Sequence, residues 1–126
     1  MITVCVVDDD LSVRKSLVNL LKSAGYRALG FVSGEELLVC DELDAAACVL
    51  LDLRMKGLQG PDVQIALNAA GTRPAVICMS AHWDEASLVE AKGNGACDCL
   101  HKPFTGEVLL SAIESALHHQ PRPEKP

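Results

Sequence analysis

Aromatic residues are scarce in this chain: one Trp, one Tyr and two Phe in 126 residues. Its single core therefore has to be filled by Leu, Val, Ile and Ala. Long apolar runs are missing too, and none approaches the ~20 residues that a membrane-spanning helix needs. The opening run Ile2-Thr3-Val4-Cys5-Val6-Val7 has no basic flank and ends in three aspartates. It reads as a strand and not as a secretory leader, so the expected location is cytoplasmic. Positive charge is short as well. A net charge of −6 argues against nucleic acid as a direct partner of this segment. None of the six cysteines forms a Cys-x-x-Cys pair. Cys5, Cys48, Cys78 and one or both of Cys97 and Cys99 fall in predicted strands, where free cysteine behaves as a small hydrophobe. Cys97, Cys99 and His101 alternate along one strand and would share a face, but the usual zinc spacings are absent.

What is present is a strand–helix alternation repeated five times. After the first strand, Val13, Leu17, Leu20, Leu21 and Ala24 trace a helical stripe that stops at Gly25. Tyr26 to Phe31 reads as a second strand, and Ser33-Gly34-Glu35-Glu36 as a capping box opening a helix to about Asp41. A third strand ends at Asp52, a glycine-bearing loop runs from Arg54 to Gly60, and a helix covers Asp62 to Ala70. Ala75 to Met79 forms a fourth strand, a helix follows from Asp84 to Lys92, and a fifth strand runs to His101. Thr105 caps a last helix with Leu109, Leu110, Ile113 and Leu117 on its apolar stripe. Such a series predicts an α/β fold: a doubly wound parallel sheet with helices on both faces. Residues 1–119 are expected to form the domain, and the proline-containing 120–126 a tail or the start of a linker.

Three predicted strands deliver charged residues at their carboxyl ends, where open α/β sheets place ligands. They are Asp8-Asp9-Asp10, Asp52 and Lys102-Pro103-Phe104. Carboxylates crowded this way call for a cation, and hard oxygen donors suit Mg²⁺. A run of aspartates also caps helices. Asp10 fits that role, and for Asp8 and Asp9 the residues alone leave both readings open. Asp52 is either a turn residue or, beside a cation, a nucleophile toward phosphorus. Lys102 would add positive charge for a phosphoryl group, and a cis Lys102–Pro103 bond would fix its aim. Ser80, at the tip of the fourth strand, offers a hydroxyl at the same edge.

Val-Val-Asp-Asp-Asp, Leu-Leu-Asp-Leu-Arg-Met, Ser-Ala-His and Lys-Pro-Phe occur here in order, within residues 2 to about 118. As a set they resemble the receiver domain of two-component response regulators, and the FixJ-like subgroup in particular. The resemblance implies a five-stranded sheet in the order 2-1-3-4-5. It implies that Asp52 is the phosphoacceptor for a sensor histidine kinase or phosphotransfer protein, becoming an aspartyl phosphate. Asp8, Asp9, Asp52 and the backbone carbonyl of Arg54 would organise Mg²⁺. Lys102 would pair with the phosphoryl group, Ser80 would close over it, and Arg54 and His82 would tune its lifetime. The implied role is a signalling module and not an enzyme, with self-phosphorylation and slow autodephosphorylation at Asp52. It would control transcription through an output domain. Homodimerisation would use the fourth helix, fifth strand and fifth helix, with Leu88, Leu100 and Leu109 read either as contacts there or as core residues.

Two departures stand out. Lys56 occupies the position of the loop proline, which predicts either a looser loop or altered partner contacts. Cys99 occupies the position of an aromatic that usually turns inward on activation, leaving Trp83 as the candidate moving ring. Both departures favour an alternative, a receiver-like interaction module that works without phosphate. An aspartyl-phosphate phosphohydrolase fits less well, because Arg54 stands where such enzymes need a general acid.

Overall fold

Successive residues of a strand point to opposite faces of its sheet. In Val4 to Val7, Cys48 to Leu51 and Ala75 to Met79 nearly every residue is apolar, so a sheet built from them needs cover on both sides. The computed structural model describes residues 1–71 and 74–119. Its strands are β1 (Thr3–Val7), β2 (Arg27–Phe31), β3 (Cys48–Asp52), β4 (Ala75–Ser80) and β5 (Ala96–His101). All pair in parallel, in the order β2-β1-β3-β4-β5. The helices are α1 (Leu11–Ser23), α2 (Gly34–Leu38), α3 (Gly60–Ala69), α4 (Glu85–Gly93) and α5 (Gly106–His119).

Two apolar layers result. Val4, Val6, Leu50, Ile77 and Met79 pack with Leu17 and Leu21 of α1 and Leu109 and Ile113 of α5. Cys5, Val7, Val49, Leu51 and Cys78 meet Leu37 of α2, Val63 and Leu67 of α3 and Ala91 of α4. Each fully buried Val or Leu contributes roughly 1.5–3 kcal/mol. The fold class and strand order are as expected. Among the described residues no helix is long and apolar enough to cross a membrane.

Local chemistry sets the helix ends. The Asp10 carboxylate accepts from the N–H groups of Ser12 (2.9 Å) and Val13 (3.3 Å), opening α1. Gly25, at φ +96°, closes the turn after α1 in a conformation that side chains other than glycine rarely adopt. Ser33 Oγ accepts from Glu36 N at 3.1 Å, while the Glu36 carboxylate reaches Val32 N at 3.0 Å. Thr105 Oγ1 accepts from Val108 N at 3.2 Å.

Some expectations need correction. The second helix ends at Leu38, not near Asp41, because a 3-10 turn over Leu43–Ala45 drops Leu43 and Ala46 into the core before β3. The third helix begins at Gly60, where Gln59 and Asp62 form a reciprocal cap and Pro61 fits the first turn. Leu100 and Leu109 are buried, and both pack in the layer under α1 and α5, so neither offers a contact surface. Leu88 is half-buried, while Val89 of α4 and Val108 of α5 are the exposed apolar residues nearby. Alternation in β5 is interrupted: Ala96 pairs with Val76 and Asp98 with Ile77, leaving Cys97 in the irregularity. The expected tail 120–126 lies outside the described residues.

Candidate functional site

Parallel strands that start on one edge end together on the other, so β1, β3, β4 and β5 bring their last residues into one place. Asp8 follows β1 and is fully buried, Asp52 ends β3, Ser80 ends β4, and Lys102 follows β5. Carboxylate oxygens of Asp8, Asp9 and Asp52 all lie within 4.8 Å of one another. The Lys102 ammonium sits 2.9 Å from Asp8 Oδ2 and 3.5 Å from Asp52 Oδ2. The Lys102–Pro103 peptide bond is cis.

Main-chain amides hold the carboxylates in place. Asp10 N donates to Asp8 Oδ1 (2.9 Å), Arg54 N to Asp52 Oδ1 (3.3 Å) and Lys56 N to Asp9 Oδ2 (3.1 Å). The loop carrying Lys56 is braced, despite the missing proline. Gln59 Oε1 accepts from Met55 N at 3.3 Å, Gln59 Nε2 donates to the carbonyls of Met55 and Gly57, and Glu35 accepts from Leu58 N at 3.3 Å. Ser80 Oγ is buried and accepts from His82 N at 3.1 Å. Both the Arg54 and His82 side chains are exposed at the rim.

Electrostatics follow from this crowding. Burial, and then the neighbouring Asp8 carboxylate, push the Asp52 carboxyl from 3.8 up to about 6, against the pull of Lys102 and the Arg54 amide. Burial works against the charge of Lys102, but its hydrogen bond to Asp8 and the attraction of Asp52 outweigh it and raise its pKa. One ammonium faces three carboxylates. Hard, anionic oxygen donors within reach of one another suit Mg²⁺, which takes one or two carboxylates from a protein and keeps several waters, and this cluster offers three.

The chain matches the family described as the response regulator receiver domain over residues 4–114. It belongs to the response regulator receiver family. Nodulation protein W of Bradyrhizobium diazoefficiens is 39% identical over 113 residues, covering 90% of this chain and 50% of that protein. Transcriptional regulatory protein FixJ of Azorhizobium caulinodans is 38% identical over 112 residues, covering 89% and 53%. The crystal structure of FixJ-N superposes with a TM-score of 0.85 at 31% identity, over 97% of this chain and 98% of that one. The FixJ-like resemblance therefore holds for sequence and fold together. This receiver spans about half the length of the curated relatives it matches.

Asp8, Asp9, Asp52, Ser80 and Lys102 meet at one edge of the receiver sheet, as the strand-end reading expected. Three further residues shape that edge, none of which has a role assigned from sequence, although Arg14 stands in the run Asp-Asp-Asp-x-x-Val-Arg-x-Ser-Leu that carries the FixJ-like resemblance. Arg14 Nη1 donates to the Asp8 carbonyl at 2.7 Å. Gln59 braces the loop after β3 and pairs with Asp62 at the start of α3, an arrangement outside the usual Ser/Thr-x-x-Glu/Gln cap signature. Gly30 lies against the Arg14 stem, a contact with no sequence signal at all.

Proposed function

We propose that this receiver accepts a phosphoryl group on Asp52 from the phosphohistidine of a sensor histidine kinase or phosphotransfer protein. A carboxylate oxygen of Asp52 bonds to phosphorus as the phosphorus–nitrogen bond breaks, and the electron pair returns to the donor imidazole. Asp8, Asp9, Asp52 and the carbonyl of Arg54 are the groups that hold Mg²⁺. When bound, the ion supplies positive charge to the phosphoryl oxygens. Lys102 keeps its contact with Asp8 and turns its remaining donors toward the phosphoryl group, and the Ser80 hydroxyl donates to another of its oxygens.

The observation that carries this reading is the Asp8–Asp9–Asp52 cluster spanned by the Lys102 ammonium. A groove of about 380 Å³ between α1 and the loop after β5, lined by Ser12, Val13, Ser16, Leu17, Lys102, Pro103 and Phe104, opens beside it. Lys102 lines both the groove and the cluster, which supports the groove as the seat of the phosphodonor. Residues 1–119 act as the receiver and 120–126 as a tail or linker. The signal passes to the face of α4, β5 and α5, where Val89 and Val108 are exposed for a second copy or an output domain. Relatives named as transcriptional regulatory proteins support control of transcription as the output.

Incubation with acetyl phosphate and Mg²⁺, read by intact mass, tests the reading. One phosphoryl group is expected, lost with Asp52→Asn and lost with chelator. Absence of uptake by the wild type would leave the phosphate-independent interaction module.

A further inference from the structure

Arg14 reaches back from the first turn of α1, over the edge strand β2, to the main chain at the tip of β1. Its Nη1 donates to the Asp8 carbonyl at 2.7 Å. Three other bonds fix the same residue: Asp8 N donates to Phe31 O (3.2 Å), Asp10 N to Asp8 Oδ1 (2.9 Å), and Lys102 Nζ to Asp8 Oδ2 (2.9 Å). Those three hold the Asp8 amide and side chain. Arg14 alone of the four holds the carbonyl, and the peptide unit is planar, so a fixed carbonyl also fixes the direction in which Asp9 leaves.

In that orientation the Asp9 carboxylate lies within 4.8 Å of those of Asp8 and Asp52. Among the described residues, the ion pairs of the cluster belong to Lys102, and Arg14 forms none with a carboxylate. Arg14 thus orders the cluster without occupying the oxygens that a metal would use.

Gly30 makes room for this contact. A Cβ at Gly30 would lie 3.2 Å from Arg14 Cγ and 3.3 Å from Cδ, tighter than ordinary packing. Glycine weakens a strand, and one with another chain lying across it has a physical reason to be there. The Arg14 stem, with Val18 Cγ2 at 3.4 Å, occupies the space that a side chain would take.

We infer that Arg14, seated on Gly30, is a positioning residue for divalent-cation binding at Asp8, Asp9 and Asp52. The inference rests on the proposed Mg²⁺ site and adds to it. Its sign separates it from simple electrostatics. Removing a cation near an acidic cluster tightens metal binding by Coulomb's law, whereas removing the group that aims the ligands weakens it.

Mn²⁺ titration, with the free ion counted by electron paramagnetic resonance, is the test. Arg14→Met keeps most of the stem and is expected to weaken Mn²⁺ about tenfold. Arg14→Lys is expected to recover part of the loss. Gly30→Val leaves every charge in place, suits a strand, and is expected to weaken Mn²⁺ by displacing the stem. In the double variant the losses do not add, because both changes remove one contact. In metal-free protein, the amide resonances of Asp9 and Asp10 are expected to move in both single variants. Equal or tighter Mn²⁺ binding by Arg14→Met, or an unaltered Gly30→Val, overturns the inference while leaving the site reading intact. A wild type that binds no Mn²⁺ overturns both.

Discussion

Asp52 carries a charge that its surroundings resist. Burial and Asp8 raise its carboxyl from 3.8 to about 6 in the folded, metal-free protein. A raised carboxyl pKa means that folding favours the protonated form. The contribution of Asp52 to the stability of the metal-free protein is therefore fully present below about pH 4 and is lost as pH rises through about 6. Asp52→Asn removes the titration. At pH 7 in chelator this variant is expected to unfold at a higher temperature than wild type, by on the order of 1–3 kcal/mol, and the two are expected to converge near pH 4. Thermal melts across that range check it, and a variant less stable than wild type at pH 7 would contradict the balance of forces described. Asp8, Asp9, Asp52, Ser80 and Lys102 were legible in the sequence because each follows or ends an apolar run, and parallel strands gather their ends. Arg14 was not. Its role depends on which carbonyl the guanidinium reaches over β2, and spacing along the chain carries no trace of that.

At the scale of elements, one side chain joins the loop after β4 to the edge strand β5. The Trp83 indole N–H donates to the Leu100 carbonyl at 2.8 Å, and the ring packs in the same layer as Cys99. Cys99 is smaller than an aromatic, and Trp83 packs against the same layer. Only two residues separate Trp83 from Ser80, whose hydroxyl accepts from His82 N. Drawing that hydroxyl toward a phosphoryl group on Asp52 breaks the His82 contact and pulls the loop, so the indole bond is expected to break too. Trp83 is the only tryptophan. Its emission is expected to move to longer wavelength when beryllofluoride and Mg²⁺ load wild type, and to stay unchanged in Asp52→Asn. An unchanged spectrum in protein shown by mass to carry phosphate would uncouple the loop from the site. Element identities were readable from periodicity and caps, whereas ends were not. The second helix stops early because Leu43 and Ala46 have to reach the core, a demand of the tertiary structure that no local signal expresses. The loop at Lys56 stays held because Gln59 and Glu35 supply bonds in place of the proline's rigidity.

Across the whole molecule, the three central strands each carry one fully buried cysteine: Cys5 on β1, Cys48 on β3 and Cys78 on β4. Cys5 and Cys78 face one apolar layer and Cys48 the other. Burial, the largest cause at each, pushes all three thiols up to about 12. Near pH 8 the native protein therefore holds them both out of reach and unionised, and alkylation needs the chain to open. If the sheet and its two layers form one cooperative unit, each of the three reacts only through global unfolding. Their labelling rates are then expected to coincide, to rise together with denaturant, and to fall ~10³-fold or more below those of unfolded chain. Cys97, exposed in the β5 irregularity, is expected to label at once. Site-resolved mass spectrometry of alkylated peptides checks this. Faster labelling at Cys78 than at Cys5 and Cys48 would show β4 opening separately from the rest. Because β4 carries Ser80 at its tip, such an opening would place the least stable part of the sheet directly under the loop expected to move on phosphorylation.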